Sequence, residues 1–244
     1  MPFTPAHTAI VLPLINRKIF SATGLIVGSI SPDFEYFFKA RVSGIHGHTV
    51  PGIFYFDLPV CFLIAFIFHL LIKDGFIDNL PPFLQRRFSS CRTLDFKNYF
   101  KLNYRVFILS ALVGAGSHVF WDSFTHNGTY FIQNFSFYQG SYIPFQGVKY
   151  PLWYALQHIS TFTGLTIVVM YIYFMPIKIT STVVSPKPSY WVFLVLLSII
   201  FFVVRFTLFQ VRFDLGNAVV TSISAILLSV CLISLFPNYK PTSN

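Results

Sequence analysis

Apolar residues run along this chain in five long stretches with polar breaks between them, about Pro51–Lys73, Arg105–His126, Pro151–Phe174, Tyr190–Gln210 and Leu215–Phe236. A bilayer hydrocarbon core takes about 20 residues of helix, so each stretch is long enough to cross it. The pattern predicts an all-α fold, a polytopic membrane helix bundle of about five spans. Ahead of them, Thr8–Ile30 is also apolar, but Asn16-Arg17-Lys18 interrupts it. Read as one straight span it would hold His7 and Asp33 about 39 Å apart. Read as a short helical hairpin, with Ser21 and Thr23-Gly24 as punctuation, it returns both ends to one face. The hairpin is the expectation. The whole of 1–244 reads as a single integral membrane domain. Within it, 1–126 holds the hairpin and the helices with candidate metal ligands, 127–150 an aromatic outer loop, and 151–244 three further spans.

Composition agrees with the pattern. The chain is 55% hydrophobic, 19% aromatic and only 10% charged, with a mean hydropathy of +0.65. A water-soluble chain of this length has no means of hiding so much apolar surface. The net charge of +9 is assigned to loops facing anionic lipid, and no nucleic-acid partner is indicated. No cleavable signal peptide is expected ahead of the first apolar run.

Charge also orients the spans. Lys73, Arg86, Arg87, Arg92, Lys97, Lys101 and Arg105 surround the loop after the first span, whereas Lys149 is the only charge in 127–150. The positive-inside rule then places 74–104 in the cytoplasm and 127–150 outside. Lys178 and Lys187, and Lys240 in the C-terminal tail, agree. The expected location is a bacterial inner membrane, with the C-terminus cytoplasmic.

This orientation brings expensive polar groups to one depth. His118, Asp122 and His126 recur at i, i+4 and i+8 after Gly114-Ala115-Gly116-Ser117, and on one helix they would share a face. His118 and His126 would then stand about 12 Å apart, so they suit a site completed by other segments or two neighbouring ions. A polar helix end that hydrogen-bonds to itself is the plainer reading of one such pair. Three in register at a membrane boundary favour chemistry, because ionisable groups there are costly. His46 and His48 flank Gly47 and can both reach an ion. Asp57 lies inside an apolar run, where a carboxylate needs a donor or a metal. Asp33 either caps the next helix or joins the site. His158 is a ligand, a group supporting one, or a helix–helix hydrogen bond. Ser110, Ala111, Gly114, Ala115 and Ser117 let the central helix pack closely.

Taken in order, Met1-Pro2-Phe3-Thr4-Pro5-Ala6-His7, Gly28-Ser29-Ile30-Ser31-Pro32-Asp33, His46/His48 and His118-Val119-Phe120-Trp121-Asp122 resemble an uncharacterised family of bacterial multi-pass membrane proteins. That family is similar to membrane-bound metal-dependent hydrolases, and more distantly to zinc-dependent phospholipase C domains. The resemblance covers about 1–126 and implies a metal centre of His7, Asp33, one of His46 or His48, His118 and Asp122. The implied cofactor is one or more divalent ions of the zinc type, which activate water at neutral pH. Asp57 or Glu35 would accept the water's proton. The implied substrate is an amphiphilic phosphoester, a lipid or lipid-linked compound, met at the outer face. A cation-binding transporter and a scaffold with a structural metal are the alternatives.

Overall fold

A computed structural model describes residues 3–177, 182–209 and 211–236. Met1 and Pro2, Gln210 at the expected end of the fourth span, and Lys178 and Lys240 from the orientation argument lie outside the described residues. Among the described residues five helices are long and apolar enough to cross a membrane: α4 (Val50–Asp78), α7 (Phe96–Asp122), α9 (Leu152–Phe174), α10 (Pro188–Leu208) and α11 (Leu215–Ile233). The protein is an all-α integral membrane protein. Shorter helices complete it: α1 (Thr8–Val11), α2 (Ala22–Ile30), α3 (Phe34–Lys39), α5 (Pro82–Arg87), α6 (Ser89–Arg92) and α8 (Tyr130–Asn134).

The chain divides into two compact units, interleaved in sequence. The first comprises Met1–Asp33, Ile45–Cys61 and Tyr104–Phe174, the second Phe34–Gly44, Phe62–Asn103 and Met175–Asn244.

In the first unit the N-terminal stretch is a hairpin, as expected. One arm is a 3-10 turn, Thr4–His7, running through α1 into a second 3-10 turn, Leu12–Leu14; the other arm is α2. Ser21 caps α2 by accepting from the Gly24 amide at 3.3 Å, the ordinary N-cap role of serine. The arms are tied near their open ends, where the Ser29 hydroxyl meets that of Thr8 at 3.3 Å. Helix α2 lies directly on α7. A Cβ on Gly28 would fall 2.3 Å from the Ala111 carbonyl oxygen, and one on Gly114 would fall 2.5 Å from that of Leu25. Small residues allow this approach, and in hydrocarbon close packing replaces the hydrophobic drive between helices. On the other side Gly164 of α9 sits against Ala6, and the Phe3 amide donates to Thr161 at 3.0 Å.

Helix α7 starts nine residues before the apolar stretch and bends at Asn103 (φ −126°, ψ 21°), whose side-chain amide donates to the Tyr99 carbonyl at 3.0 Å. It ends at Asp122, so His126 is not on it. Segment 127–150 is also more ordered than an aromatic loop. It holds α8 and an antiparallel β-hairpin, β1 (Tyr142–Phe145) with β2 (Val148–Pro151). Gln146 (φ 47°) and Gly147 (φ 78°) turn the hairpin. Two positive φ values in a two-residue loop are the mirror-image turn that matches strand twist.

In the second unit Tyr190, Leu194, Val230 and Ile233 form a buried cluster between α10 and α11. Arg205 donates to the carbonyls of Lys39 (2.8 Å) and Ala40 (3.4 Å), and so closes the C-terminal end of α3. Asp214 caps α11 by accepting from the Asn217 amide at 2.9 Å. His69 stacks on Phe96, with ring centroids 4.1 Å apart and planes within 5°.

Candidate metal centre

The polar side chains of the centre come from four local devices, and all lie in the first unit. The helix–turn sequence Gly28-Ser29-Ile30-Ser31-Pro32-Asp33 passes from α2 into a 3-10 turn at Ser31–Asp33, which leaves Asp33 fully buried. The Thr4 hydroxyl donates to Asp33 Oδ2 at 2.5 Å; Oδ1 faces the imidazoles. His48 follows Gly47, which lies so close to the Pro32 carbonyl that a Cβ would be 2.3 Å from its oxygen. That approach seats the loop over the turn and sets His48 beside Asp33. Thr49 then caps the first turn of α4, accepting from Gly52 at 3.0 Å. His118 and Asp122 are one turn apart on α7 and both point inward. The 3-10 turn Thr4–His7 brings His7 alongside, its ring stacked on that of His118 with centroids 3.8 Å apart and planes at 19°.

The donor atoms converge. His48 Nε2 is 3.3 Å from Asp33 Oδ1 and 3.4 Å from Asp122 Oδ2. His118 Nε2 is 3.7 Å from Asp33 Oδ1, 3.4 Å from Asp122 Oδ2 and 3.3 Å from His48 Nε2. Ligand bonds of 2.0–2.1 Å in a tetrahedral site put neighbouring donors about 3.3–3.4 Å apart, close to the 3.3–3.7 Å seen here. His118 Nδ1 lies 2.7 Å from the Ser29 carbonyl oxygen. Only a protonated Nδ1 can donate to that carbonyl, which leaves the Nε2 lone pair facing the centre, the usual support of a metal-ligating histidine. Among the described residues the ion pairs of Asp33 and Asp122 are all with imidazoles. Two buried carboxylates without a lysine or arginine fit a divalent cation, whose charge balances theirs.

Electrostatics outside the spans follow this geometry. Burial, then the neighbouring His118 ring, pushes His7 down to about 3, so it is a neutral imidazole with a lone pair. Burial alone would lower His48, but hydrogen bonds to Asp122 and Asp33 outweigh it and raise it to about 10. Burial would raise Asp33, and the His118 and His48 rings more than offset it and hold its carboxyl below the usual range. Burial also lowers His126.

Two overlapping donor groups result: His7, His118 and Asp122; and Asp33, His48 and His118. The remaining candidates are placed differently. His126 lies beyond the end of α7, because the helix stops at Asp122, yet its ring folds back to bring Nδ1 3.4 Å from Asp122 Oδ1. His46 turns to Tyr55, with Nδ1 2.9 Å from the phenol oxygen; of the two loop histidines, His48 joins the donors. His158 is exposed and packs edge-on against Tyr154 at 4.6 Å, which removes it from the ligand set. Glu35 belongs to the second unit, where the Lys39 ammonium holds its carboxylate at 2.6 Å. Asp57 is fully buried at the end of a π-helical turn, Ile53–Asp57, that packs on the Ser31–Asp33 turn, and it is in neither donor group. Sequence reasoning passed over Thr4 and the Ser29 carbonyl. Thr4 precedes His7 by three residues, one 3-10 turn, and that spacing is the signal that would have found it.

No curated protein and no solved structure matches the chain. Residues 1–235 match a family described as a domain of unknown function, DUF4184, and the chain belongs to that family.

Proposed function

We propose that the protein is a membrane-embedded, metal-dependent hydrolase acting on phosphoesters of a lipid or lipid-linked substrate at the outer membrane face. The observation that carries this reading is the convergence of Asp33 Oδ1, His48 Nε2 and His118 Nε2 within 3.3–3.7 Å of one another, with Asp122 Oδ2 3.4 Å from both imidazoles. A divalent ion, zinc by its nitrogen and oxygen donors, would supply Lewis acidity and lower the pKa of a bound water toward neutrality. The chain's own groups prepare that chemistry. Thr4 orients Asp33, the Ser29 carbonyl fixes the His118 tautomer, and His48, whose side chain is 24% exposed, marks the side from which water and substrate enter.

The substrate class follows from where the centre sits. It lies at the ends of α4 and α7 that adjoin the aromatic segment, where Phe120, Trp121, Tyr130, Phe137, Tyr142 and Phe145 are exposed. Such residues favour the membrane–water interface, which suits an amphiphile whose headgroup enters while its chains stay in lipid. Lys39 holds Glu35, so no base role is assigned to it.

The test is elemental analysis of detergent-purified protein, followed by phosphoester hydrolysis with and without chelator. Zinc should be present, turnover should fall at least 100-fold with chelator, and Asp122→Ala should lose both while staying folded. Protein that takes up no metal even after zinc supplementation, or turnover indifferent to chelator, would defeat the reading.

A further inference from the structure

We propose that the apex of the N-terminal hairpin, Arg17-Lys18, binds the headgroup phosphate of an anionic phospholipid in the leaflet opposite the candidate metal centre. The inference rests on the path of the hairpin through the first unit, and it holds whether or not an ion occupies the centre.

Contacts with α7 fix that path. The Ser29 carbonyl meets His118, and a Cβ on Gly24 would fall 2.7 Å from the Phe107 carbonyl oxygen. The Ser21 amide donates to the Ser110 hydroxyl at 2.7 Å. Helices α2 and α7 therefore run in the same direction, and the chain ahead of Ser21 continues toward the Arg105 end of α7. Ser110 stands about 18 Å along the helix from Asp122, and Arg105 about 26 Å. A hydrocarbon core is about 30 Å thick. The hairpin thus enters from the end of α7 that carries the centre, passes through most of the bilayer and returns to the same face.

The apex presents two cations. Successive turns form it, with the Arg17 amide donating to the Leu14 carbonyl and the Phe20 amide to the Arg17 carbonyl, each at 3.0 Å. Asn16, Arg17, Lys18 and Ile19 are all exposed. Neither Arg17 nor Lys18 has an ion pair among the described residues. The acids of the first unit are Asp33, Asp57 and Asp122. Asp33 and Asp122 belong to the centre, and Asp57 lies on the turn packed against Ser31–Asp33. All three stand at the far end of the hairpin.

A charge held near hydrocarbon without a partner is costly. The long stems of Arg and Lys carry their heads outward to the headgroup layer, where a lipid phosphate is the countercharge at hand. A guanidinium matches phosphate oxygens with paired N–H donors, and the neighbouring ammonium adds a point charge. The exposed Ile19 beside them suits the acyl chains of the same lipid. Two cations also select among headgroups, because a zwitterionic lipid brings a cation of its own that they repel.

The experiment is native mass spectrometry of the full chain in detergent, titrated with phosphatidylglycerol or phosphatidylcholine. Wild type should bind phosphatidylglycerol roughly 10–30-fold more tightly, the preference two cations near a membrane surface supply. The double variant Arg17→Gln/Lys18→Gln should weaken its tightest phosphatidylglycerol by the same factor, whereas Lys149→Gln should leave it unchanged. All three side chains are exposed, so these variants keep the fold, which circular dichroism checks. No preference in wild type, or an undiminished one in the double variant, would overturn the proposal. Displacement of the lipid by millimolar inorganic phosphate would overturn the assignment to a lipid. Sidedness tests the path separately. With the native cysteines replaced, Lys18→Cys and Gln139→Cys should react with an impermeant maleimide from opposite faces of sealed vesicles, and reaction from one face would overturn it. None of these outcomes depends on metal content.

Discussion

On the proposed metal-centre reading, His48 is a residue whose charge would change when an ion binds. Hydrogen bonds to Asp122 and Asp33 raise it to about 10 against a reference of 6.5, so at neutral pH it is an imidazolium in chelator-stripped protein. A ligand must be neutral, and loading the ion therefore releases its proton. Calorimetric titration of zinc in two buffers of different ionisation enthalpy should show about one proton released from His48 at pH 7 and about half as much at pH 10. The sign for stability follows from the raised value. The charged ring stabilises stripped protein fully below pH 6.5, and that contribution is lost as pH rises through about 10. The melting temperature of stripped protein should fall across that window, while that of loaded protein should hold. His7, pushed down to about 3 by burial, is neutral throughout and adds nothing to this dependence.

The pairing of α2 with α7 decides whether Asp33 reaches His118, and two glycines on α7 separate that role from simple helix propensity. At Gly114 a Cβ would meet the Leu25 carbonyl oxygen at 2.5 Å and the Ser29 amide at 2.7 Å, whereas at Gly116 it meets nothing within 4 Å. Both are helical. Gly114→Ala forces backbone apart and should cost about 1–3 kcal/mol, as overpacking does. It should also weaken metal binding, because the Ser29 carbonyl moves away from His118. Gly116→Ala only removes backbone freedom and should be neutral or stabilising by about 0.5–1 kcal/mol. Thermal denaturation in detergent with metal analysis reads both, and equal effects from the two substitutions would refute the close-contact account.

At the scale of the whole molecule, five apolar helices make an integral membrane protein, and the basic loops give the proposed orientation. With the native cysteines replaced, Gln139→Cys in the outer segment should react with a membrane-impermeant maleimide in intact cells, and Ser90→Cys only after permeabilisation. Both positions are exposed, so a reversed pattern would place the metal centre on the cytoplasmic face.

The spans, the hairpin and most of the converging polar side chains were legible in the sequence because the physics behind them is local. Transfer of about 20 apolar residues into hydrocarbon is a property of each stretch alone. Likewise Asn16-Arg17-Lys18 breaks an apolar run whatever surrounds it, and a carboxylate such as Asp33 or Asp122 is expensive wherever the hydrocarbon begins. The β-hairpin escaped notice because its signal, Gln146-Gly147, is a weak form of the usual two-residue turn. Which histidines converge with the two carboxylates was decided by tertiary structure alone. His48 joins the donors and His46 does not because Gly47 is pressed onto Pro32; His126 returns to Asp122 from outside the helix, and His158 faces away. Coordination depends on tenths of an ångström between atoms as far apart in sequence as Asp33 and His118. Only the close packing of α2 on α7, with the N-terminal turn against α9, fixes such distances.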